Sequence, residues 1–87
     1  MEWRVKKSCC NKTSGKHVLV LSDTGDSLKM LAEVQSDWVV SAGDMLSPLK
    51  DARYCINRDK SRTIKILDAR HYTSEEWERL KALLEKA

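Results

Sequence analysis

The sequence predicts an α+β domain in which one C-terminal helix packs on a small curved antiparallel sheet, or on a barrel-like meander, of about five or six strands. Three observations support this prediction. Short apolar or alternating segments, typical of strands, recur between residues 2 and 67. Clusters of turn-forming residues separate these segments. Residues 73–86 then carry the apolar spacing of a helix.

The first two strands are predicted on either side of a turn at residues 11–15. Residues 2–7 alternate between apolar and charged side chains, which is typical of a half-buried strand near a sheet edge. Residues 17–21 are apolar at both parities. A strand with two apolar faces is covered on both sides, so this segment is predicted to be the most central strand.

The next segment is open to two interpretations. A turn at residues 22–26 has Gly25 at its predicted left-handed position. Within residues 27–35, positions 28, 30, 32 and 34 are apolar, and this alternation favours a strand. The residue types in the same segment are good helix formers, so a helix is the alternative. The preceding turn favours the strand.

Three more strands are predicted in the middle of the chain, at residues 38–41, 53–57 and 63–67. The longest irregular stretch, residues 43–51, contains the single proline. Residues 58–62 are polar and are predicted to form the tip of a hairpin. The chain as a whole, residues 1–87, is expected to be a single small globular domain.

The C-terminal helix has the clearest sequence signals. Thr73 followed by Glu76 forms a capping box, and Tyr72 against Trp77 fits a hydrophobic staple. The helix is predicted over residues 73–86. Its buried stripe is predicted to contain Trp77, Leu80, Leu83, Leu84 and Ala87.

The predicted sheet has an inner face that follows from strand alternation. Its inward positions are Trp3, Val5, Val18, Val20, Trp38, Val40, Tyr54, Ile56, Ile64 and Ile66. Cys9 shares the parity of Trp3 and Val5 and is predicted to face the core, with Cys10 facing solvent. Small SH3-like and OB-like barrels have the nearest architecture, and this analogy implies nothing about function.

The net charge of +3 conceals two basic blocks. Residues 1–20 and residues 50–71 each carry +4, whereas residues 21–49 carry −4 and residues 72–87 carry −1. Hydrophobic residues make up 41% of the chain, which excludes a disordered protein. Basic blocks attract phosphate groups or acidic protein surfaces.

The sequence predicts no cofactor, no metal and no catalytic site. The metal-ligand candidates are Cys9, Cys10, Cys55, His17 and His71. Their spacing is not that of a zinc finger or ribbon, and adjacent cysteines on a strand point to opposite faces. No motif fixes a nucleophile beside a base. A small metal-dependent enzyme is therefore the third-ranked interpretation.

The strongest surface feature is the hairpin of residues 53–65, which we call the basic hairpin. Its candidate binding residues are Arg53, Arg58, Lys60, Arg62 and Lys65. The first-ranked function is a non-enzymatic interaction or regulatory module that binds another protein through this hairpin. The alternative is a nucleic-acid-binding domain that contacts phosphates with the same cations.

A second candidate surface lies on the irregular stretch before the basic hairpin. Met45, Leu46 and Leu49 are apolar residues on a long loop. Such residues either close one end of a barrel or contact a partner. The sequence favours the first alternative and retains the second.

The compartment is predicted to be the cytoplasm. No apolar run approaches the roughly 18 residues of a membrane-spanning helix, and the start of the chain lacks the pattern of a signal peptide. The chain has three cysteines, an odd number without paired spacing, which argues against a secreted disulfide framework. No membrane partner is expected.

Overall fold

Six antiparallel strands form a closed barrel, and one helix packs against its outside. The structure is a computed structural model that describes residues 2–11, 13–51 and 53–86, with the backbone alone for Lys86. The elements are β1 (Trp3–Asn11), β2 (Lys16–Ser22), β3 (Lys29–Gln35), β4 (Met45–Pro48), β5 (Arg53–Ile56), β6 (Asp59–His71) and α1 (Ser74–Lys86). The order around the barrel is β1-β2-β3-β6-β5-β4. The predicted fold class is confirmed.

Strand β1 closes the barrel and is not an edge strand. It pairs with β2 along most of its length and with β4 through Trp3 opposite Leu46 and Arg4 opposite Met45. The prediction of an edge strand at residues 2–7 was therefore wrong. The alternating pattern correctly predicts a strand with one polar face. In a barrel that face is the outer surface, so the same alternation occurs without a sheet edge.

A β-bulge in β1 changes which side chains face the barrel interior. The pairing shifts between Val5, which lies opposite Leu21, and Lys7. Beyond the bulge, Cys9 lies opposite Val18 on the outer face. An extra residue in one strand reverses the parity of everything after it. The prediction that Cys9 shares the face of Trp3 and Val5 was therefore wrong.

Strand β2 is buried on both faces, as its sequence predicts. Leu19 and Leu21 point into the barrel. Val18 and Val20 point outward and pack beneath the helix. The assignment of these two valines to the barrel interior was wrong, because both parities of this strand are apolar and the pattern alone does not say which face the helix covers.

The apolar side chains form two separate clusters. The barrel core contains Val5, Leu19, Leu21, Ala32, Val34, Val40, Leu46, Ile56 and Ile64, with Trp3, Tyr54 and Ile66 packed against it. The helix-side core contains Val18, Val20, Leu31, Trp77, Leu80 and Leu84, with Cys9 and Tyr72 packed against it.

Strand β3 settles the ambiguity between strand and helix in favour of the strand. The preceding turn differs from the prediction, because Asp26 with φ of 57° takes the left-handed position and Gly25 does not. The Asp23 carboxylate accepts hydrogen bonds from the backbone N–H groups of Ser27 at 2.8 Å and Leu28 at 3.2 Å. These bonds hold the turn, since an aspartate side chain often bonds the backbone a few residues onward.

The middle of the chain departs most from the sequence-based expectation. No strand forms at residues 38–41, and β4 lies instead within the stretch predicted to be irregular. In the next hairpin the turn is made by Asn57 and Arg58, both with positive φ (52° and 64°). Two left-handed residues are typical of a two-residue hairpin turn. Lys60 and Arg62 therefore lie in β6 and not at the hairpin tip.

Helix α1 begins where the capping box predicts. The Thr73 hydroxyl accepts a hydrogen bond from the Glu76 N–H at 3.1 Å. Trp77 belongs to the buried stripe, but Leu83 is 56% exposed, so its placement in the stripe was wrong. At 100° per residue, Leu83 lies about 90° around the helix from the centre of the stripe. Ala87 lies outside the described residues.

Candidate functional site

Two arginines of the basic hairpin already have acidic partners. Arg58 Nε lies 3.4 Å from Glu2 Oε2, and Arg62 Nε lies 3.2 Å from Asp59 Oδ2. Hydrogen bonding from the Ser47 hydroxyl, and then the neighbouring Arg58, lowers the pKa of Glu2. The carboxylate of Glu2 is thus ionised at neutral pH and partly offsets the charge of Arg58.

The other three cations of the basic hairpin are exposed and, within the part of the chain that the structure describes, form no ion pair. Arg53 and Lys65 lie directly opposite each other on β5 and β6. Lys60 is exposed farther along β6. Like charges placed opposite each other on a sheet repel. Arg53 and Lys65 therefore form a site of concentrated, uncompensated positive charge.

The apolar candidates on residues 45–49 have different surroundings. Leu46 lies in β4 and is fully buried in the barrel core, so its side chain is not exposed to a partner in this structure. Met45 and Leu49 are half-buried. The Met45 N–H donates to Asn57 Oδ1 at 2.9 Å, which fixes β4 against the turn of the basic hairpin.

An exposed apolar pair, absent from the predicted binding residues, lies in the segment 36–40, here called the 36–40 loop. Trp38 is 45% exposed and Val39 is 69% exposed. The predicted inward position of Trp38 was wrong, because β3 ends at Gln35 and Val40 fills the adjacent part of the barrel core. The available sequence signal was the polar Ser36 and its neighbour, which turn the chain before Trp38.

Hydrogen bonds hold the 36–40 loop at both ends. The Ser36 hydroxyl accepts from the Trp38 N–H and donates to the Trp38 carbonyl, both at 2.9 Å. The Ser36 N–H donates to the carbonyl of Gly15 at 3.0 Å. At the other end, the Ser8 hydroxyl donates to the Val40 carbonyl at 2.6 Å. The exposed pair is thus presented by a fixed backbone.

The 36–40 loop stands as a ridge between two surface depressions. One, of about 330 Å³, lies toward the β1–β2 turn and includes Cys10 and His17 in its lining. The other, of about 240 Å³, lies toward the basic hairpin and includes Arg53 and Lys65. Asp37 lines both depressions. Trp38 and Val39 line only the first depression, and the two cations line only the second. Residues 35–37, which line both, therefore connect the apolar pair to the cations.

His17 forms part of the support beneath the 36–40 loop. It is 5% exposed. Burial lowers its pKa, and a hydrogen bond to the backbone of Ser36 opposes this effect. Its Nδ1 atom is buried without a hydrogen-bond partner among the described residues. The neutral imidazole therefore contributes to the position of Ser36.

The structure does not bring the candidate metal ligands together. Cys9 is half-buried beneath the helix, Cys10 is exposed, and Cys55 is 3% exposed. Burial raises the pKa of the Cys9 thiol. Across residues 2–11, 13–51 and 53–86, no group of three or more His, Cys, Asp or Glu side chains is placed to hold a metal ion.

The one helix described by the structure is short. Helix α1 has 13 residues, and in the described ranges no helix has the length and apolar character needed to cross a bilayer.

Comparison with known proteins gives the chain a family. The family model described as IraM/PmrD matches residues 1–78. The chain belongs to the IraM/PmrD family. The signal transduction protein PmrD of Escherichia coli (strain K12) is 60% identical over 79 residues, which cover 91% of this chain and 90% of that protein. The signal transduction protein PmrD of Salmonella typhimurium (strain LT2) is 60% identical over 80 residues, which cover 92% of this chain and 94% of that protein.

Solved structures of PmrD proteins share the fold. The crystal structure of Escherichia coli PmrD superposes with a TM-score of 0.93 at 56% identity, covering 97% of this chain and 99% of that one. The solution NMR structure of PmrD from Klebsiella pneumoniae gives a TM-score of 0.76 at 41% identity, covering 91% and 96%. The six-stranded barrel with a C-terminal helix thus matches the fold of these two PmrD structures.

Proposed function

We propose that this chain is a non-enzymatic signal-transduction module that binds another protein through the basic hairpin. The relatives of this chain are named signal transduction proteins, which supports the regulatory role. Three cysteines without disulfides fit the cytoplasm, which we propose as the compartment.

The observation that carries the proposal is the pair of Arg53 and Lys65. Both are exposed and face each other across β5 and β6. This repulsion costs stability, and a carboxylate supplied by a partner would relieve it. Cations arranged in this way attract an acidic protein surface and raise its rate of association.

The remaining candidates have graded roles in this proposal. Lys60 adds exposed charge on the same hairpin. Arg58 and Arg62 contribute less, because Glu2 and Asp59 partly compensate them. Met45 and Leu49 are half-buried and lie beside the hairpin, so they contribute at the border of the contact.

A charge-reversal experiment tests the proposal. We expect the wild-type chain to recover a stoichiometric protein from native lysate, with recovery falling as salt rises. The double variant Arg53→Glu, Lys65→Glu should lose this protein. A rim charge typically contributes through the association rate, so surface plasmon resonance should show the loss mainly in that rate.

The matched control reverses two cations elsewhere on the molecule. The variant Lys29→Glu, Arg79→Glu changes the net charge by the same amount but leaves the basic hairpin intact. We expect it to recover the partner as wild type does. Equal recovery by the hairpin variant and by wild type would show that the basic hairpin is not the interface.

Nucleic acid is the alternative ligand for the same cations. Its affinity would come from phosphate contacts and would fall steeply with salt. Anisotropy titrations with single- and double-stranded oligonucleotides at about 50 mM salt test this alternative. Binding there that Arg53→Glu, Lys65→Glu abolishes would favour nucleic acid over protein.

A further inference from the structure

We infer that Trp38 and Val39 form the apolar anchor of the partner contact, and that the partner offers an apolar cleft bordered by carboxylates. This inference rests on the proposed function and adds to it. The basic hairpin supplies long-range attraction, whereas the 36–40 loop supplies the contact that is buried in the complex. The two parts are tested separately below.

The exposure of Trp38 is the first argument. A tryptophan that is 45% exposed beside a valine that is 69% exposed leaves a large apolar surface in water. Burial of such a side chain in a partner is favourable, and tryptophan is among the residues most enriched at binding hot spots. The pair lines the depression toward the β1–β2 turn, and the neighbouring Asp37 also lines the depression that contains Arg53 and Lys65.

The fixed backbone of the 36–40 loop is the second argument. Ser36 is 5% exposed and bonds both the N–H and the carbonyl of Trp38. Val40 is 3% exposed and its carbonyl is held by Ser8. Binding therefore requires little ordering of the loop. A preorganised contact residue retains more of its interaction free energy than one on a mobile segment.

Charge decides the chemistry of the partner. The depression on one side of the ridge contains Arg53 and Lys65, with Asp37 as its one acidic side chain. In a symmetric dimer of this chain the same patch would meet itself. That arrangement would bring these cations together, which is unfavourable. An acidic surface around an apolar cleft is complementary to both the cations and the ridge.

The first experiment measures affinity. The partner recovered by the wild-type chain is purified, and its Kd is compared for wild type, Trp38→Ala and the control Leu83→Ala. Leu83 is an exposed apolar residue on the helix, so it controls for general loss of apolar surface. We expect Trp38→Ala to weaken binding at least about tenfold, with Leu83→Ala unchanged.

The second experiment measures the contact in the wild-type protein and uses a variant only to assign a resonance. The chain contains three tryptophans, so the protein labelled with 5-fluorotryptophan gives three ¹⁹F resonances. We expect the Trp38 resonance, assigned by its absence in Trp38→Ala, to shift when the partner is added. The resonance of Trp77, which is 6% exposed, should remain in place.

The outcomes separate the two claims. In one outcome, Arg53→Glu, Lys65→Glu loses the partner, Trp38→Ala binds it normally, and the Trp38 resonance of the wild-type chain does not shift. That outcome overturns the role of Trp38 as an anchor and leaves the proposed function standing. If neither variant changes binding, or wild type recovers no protein, both claims fail. A dimer seen by light scattering that Trp38→Ala dissociates would assign the loop to a second copy and overturn the inference.

Discussion

The two faces of β2 bury apolar side chains in two different ways. Leu19 and Leu21 enter the barrel core, to which all six strands contribute. Val18 and Val20 enter the helix-side core, which depends on the single helix α1 for its other wall. The barrel core is therefore shared among many elements, whereas the helix-side core is lost at once if the helix detaches. One strand with apolar residues at both parities connects them.

The two cores lie differently with respect to the proposed binding surface. The barrel core closes the structure beneath the 36–40 loop through Val40, and it fixes the strands that carry Arg53 and Lys65. The helix-side core lies on the outer face of β1, β2 and β3. We therefore expect changes in the helix-side core to alter stability with little effect on the proposed binding surface.

The largest expected effect is in the helix-side core. Trp77→Ala should lower the free energy of unfolding by about 3–5 kcal/mol, the usual range for a buried tryptophan. The indole also has Lys7 Nζ 6.0 Å from its ring centroid, a contact that is lost as well. Urea unfolding followed by circular dichroism measures the change.

Leu83→Ala is the internal control for that prediction. Because Leu83 is 56% exposed, its truncation should change the free energy of unfolding by less than about 0.5 kcal/mol. Comparable losses of unfolding free energy for Trp77→Ala and Leu83→Ala would contradict the assignment of Trp77 to the buried face of the helix and Leu83 to the exposed face.

The second effect concerns the barrel core. Leu46 is fully buried in it, so Leu46→Ala should lower the free energy of unfolding by about 2–5 kcal/mol. The folded fraction should bind the partner with wild-type affinity, since the side chain does not reach the surface. Thermal unfolding and a titration corrected for folded protein give the two quantities. A stable Leu46→Ala variant that binds the partner poorly would support the prediction that Leu46 contacts a partner.

The smallest effect is a pH dependence arising from His17. Its pKa lies below the ordinary value of 6.5 because of burial, so between these two values the unfolded chain binds a proton that the folded chain does not. Stability should therefore fall as pH drops below 6.5 and level off below the folded-state pKa. Urea midpoints at pH 7.5 and 5.5 measure the slope.

One variant tests whether His17 causes that slope. His17→Gln should flatten it, because it removes the titrating imidazole. The carboxylates with lowered pKa values, such as Asp23 and Glu76, lose their stabilising contribution only below their ordinary values of 3.8 and 4.5. An unchanged slope in His17→Gln would remove the histidine from this role.

Much of the fold follows from local pattern. The alternation in residues 28–35 predicts β3 correctly, and Thr73 with Glu76 marks the start of the helix. The local pattern predicts the candidate binding surface less completely. Arg53 and Lys65 are exposed as predicted, but the sequence does not show that Arg58 finds Glu2, since this pair joins residues far apart in the chain.

Trp38 shows why the rest of the site was missed. An aromatic residue followed by two valines is typical of a buried strand, and the polar pair Ser36 and Asp37 before it is equally consistent with a turn between two strands. Its exposure depends on Ser36, which bonds the backbone of Trp38 and turns the chain away from β3. Side-chain to backbone bonds of this kind compete with strand formation and are difficult to rank against it from sequence.

By itself, the sequence determined the α+β class, the two-faced burial of β2 and the capped helix, because these depend on spacing along one short segment. Tertiary structure decided which parity of β2 faces the barrel, and it placed Cys9 beneath the helix through the bulge after Val5. It also left Trp38 exposed to solvent and placed Arg53 opposite Lys65. The physical reason is that periodicity shows which side chains share a face, whereas pairing between distant strands fixes where that face points.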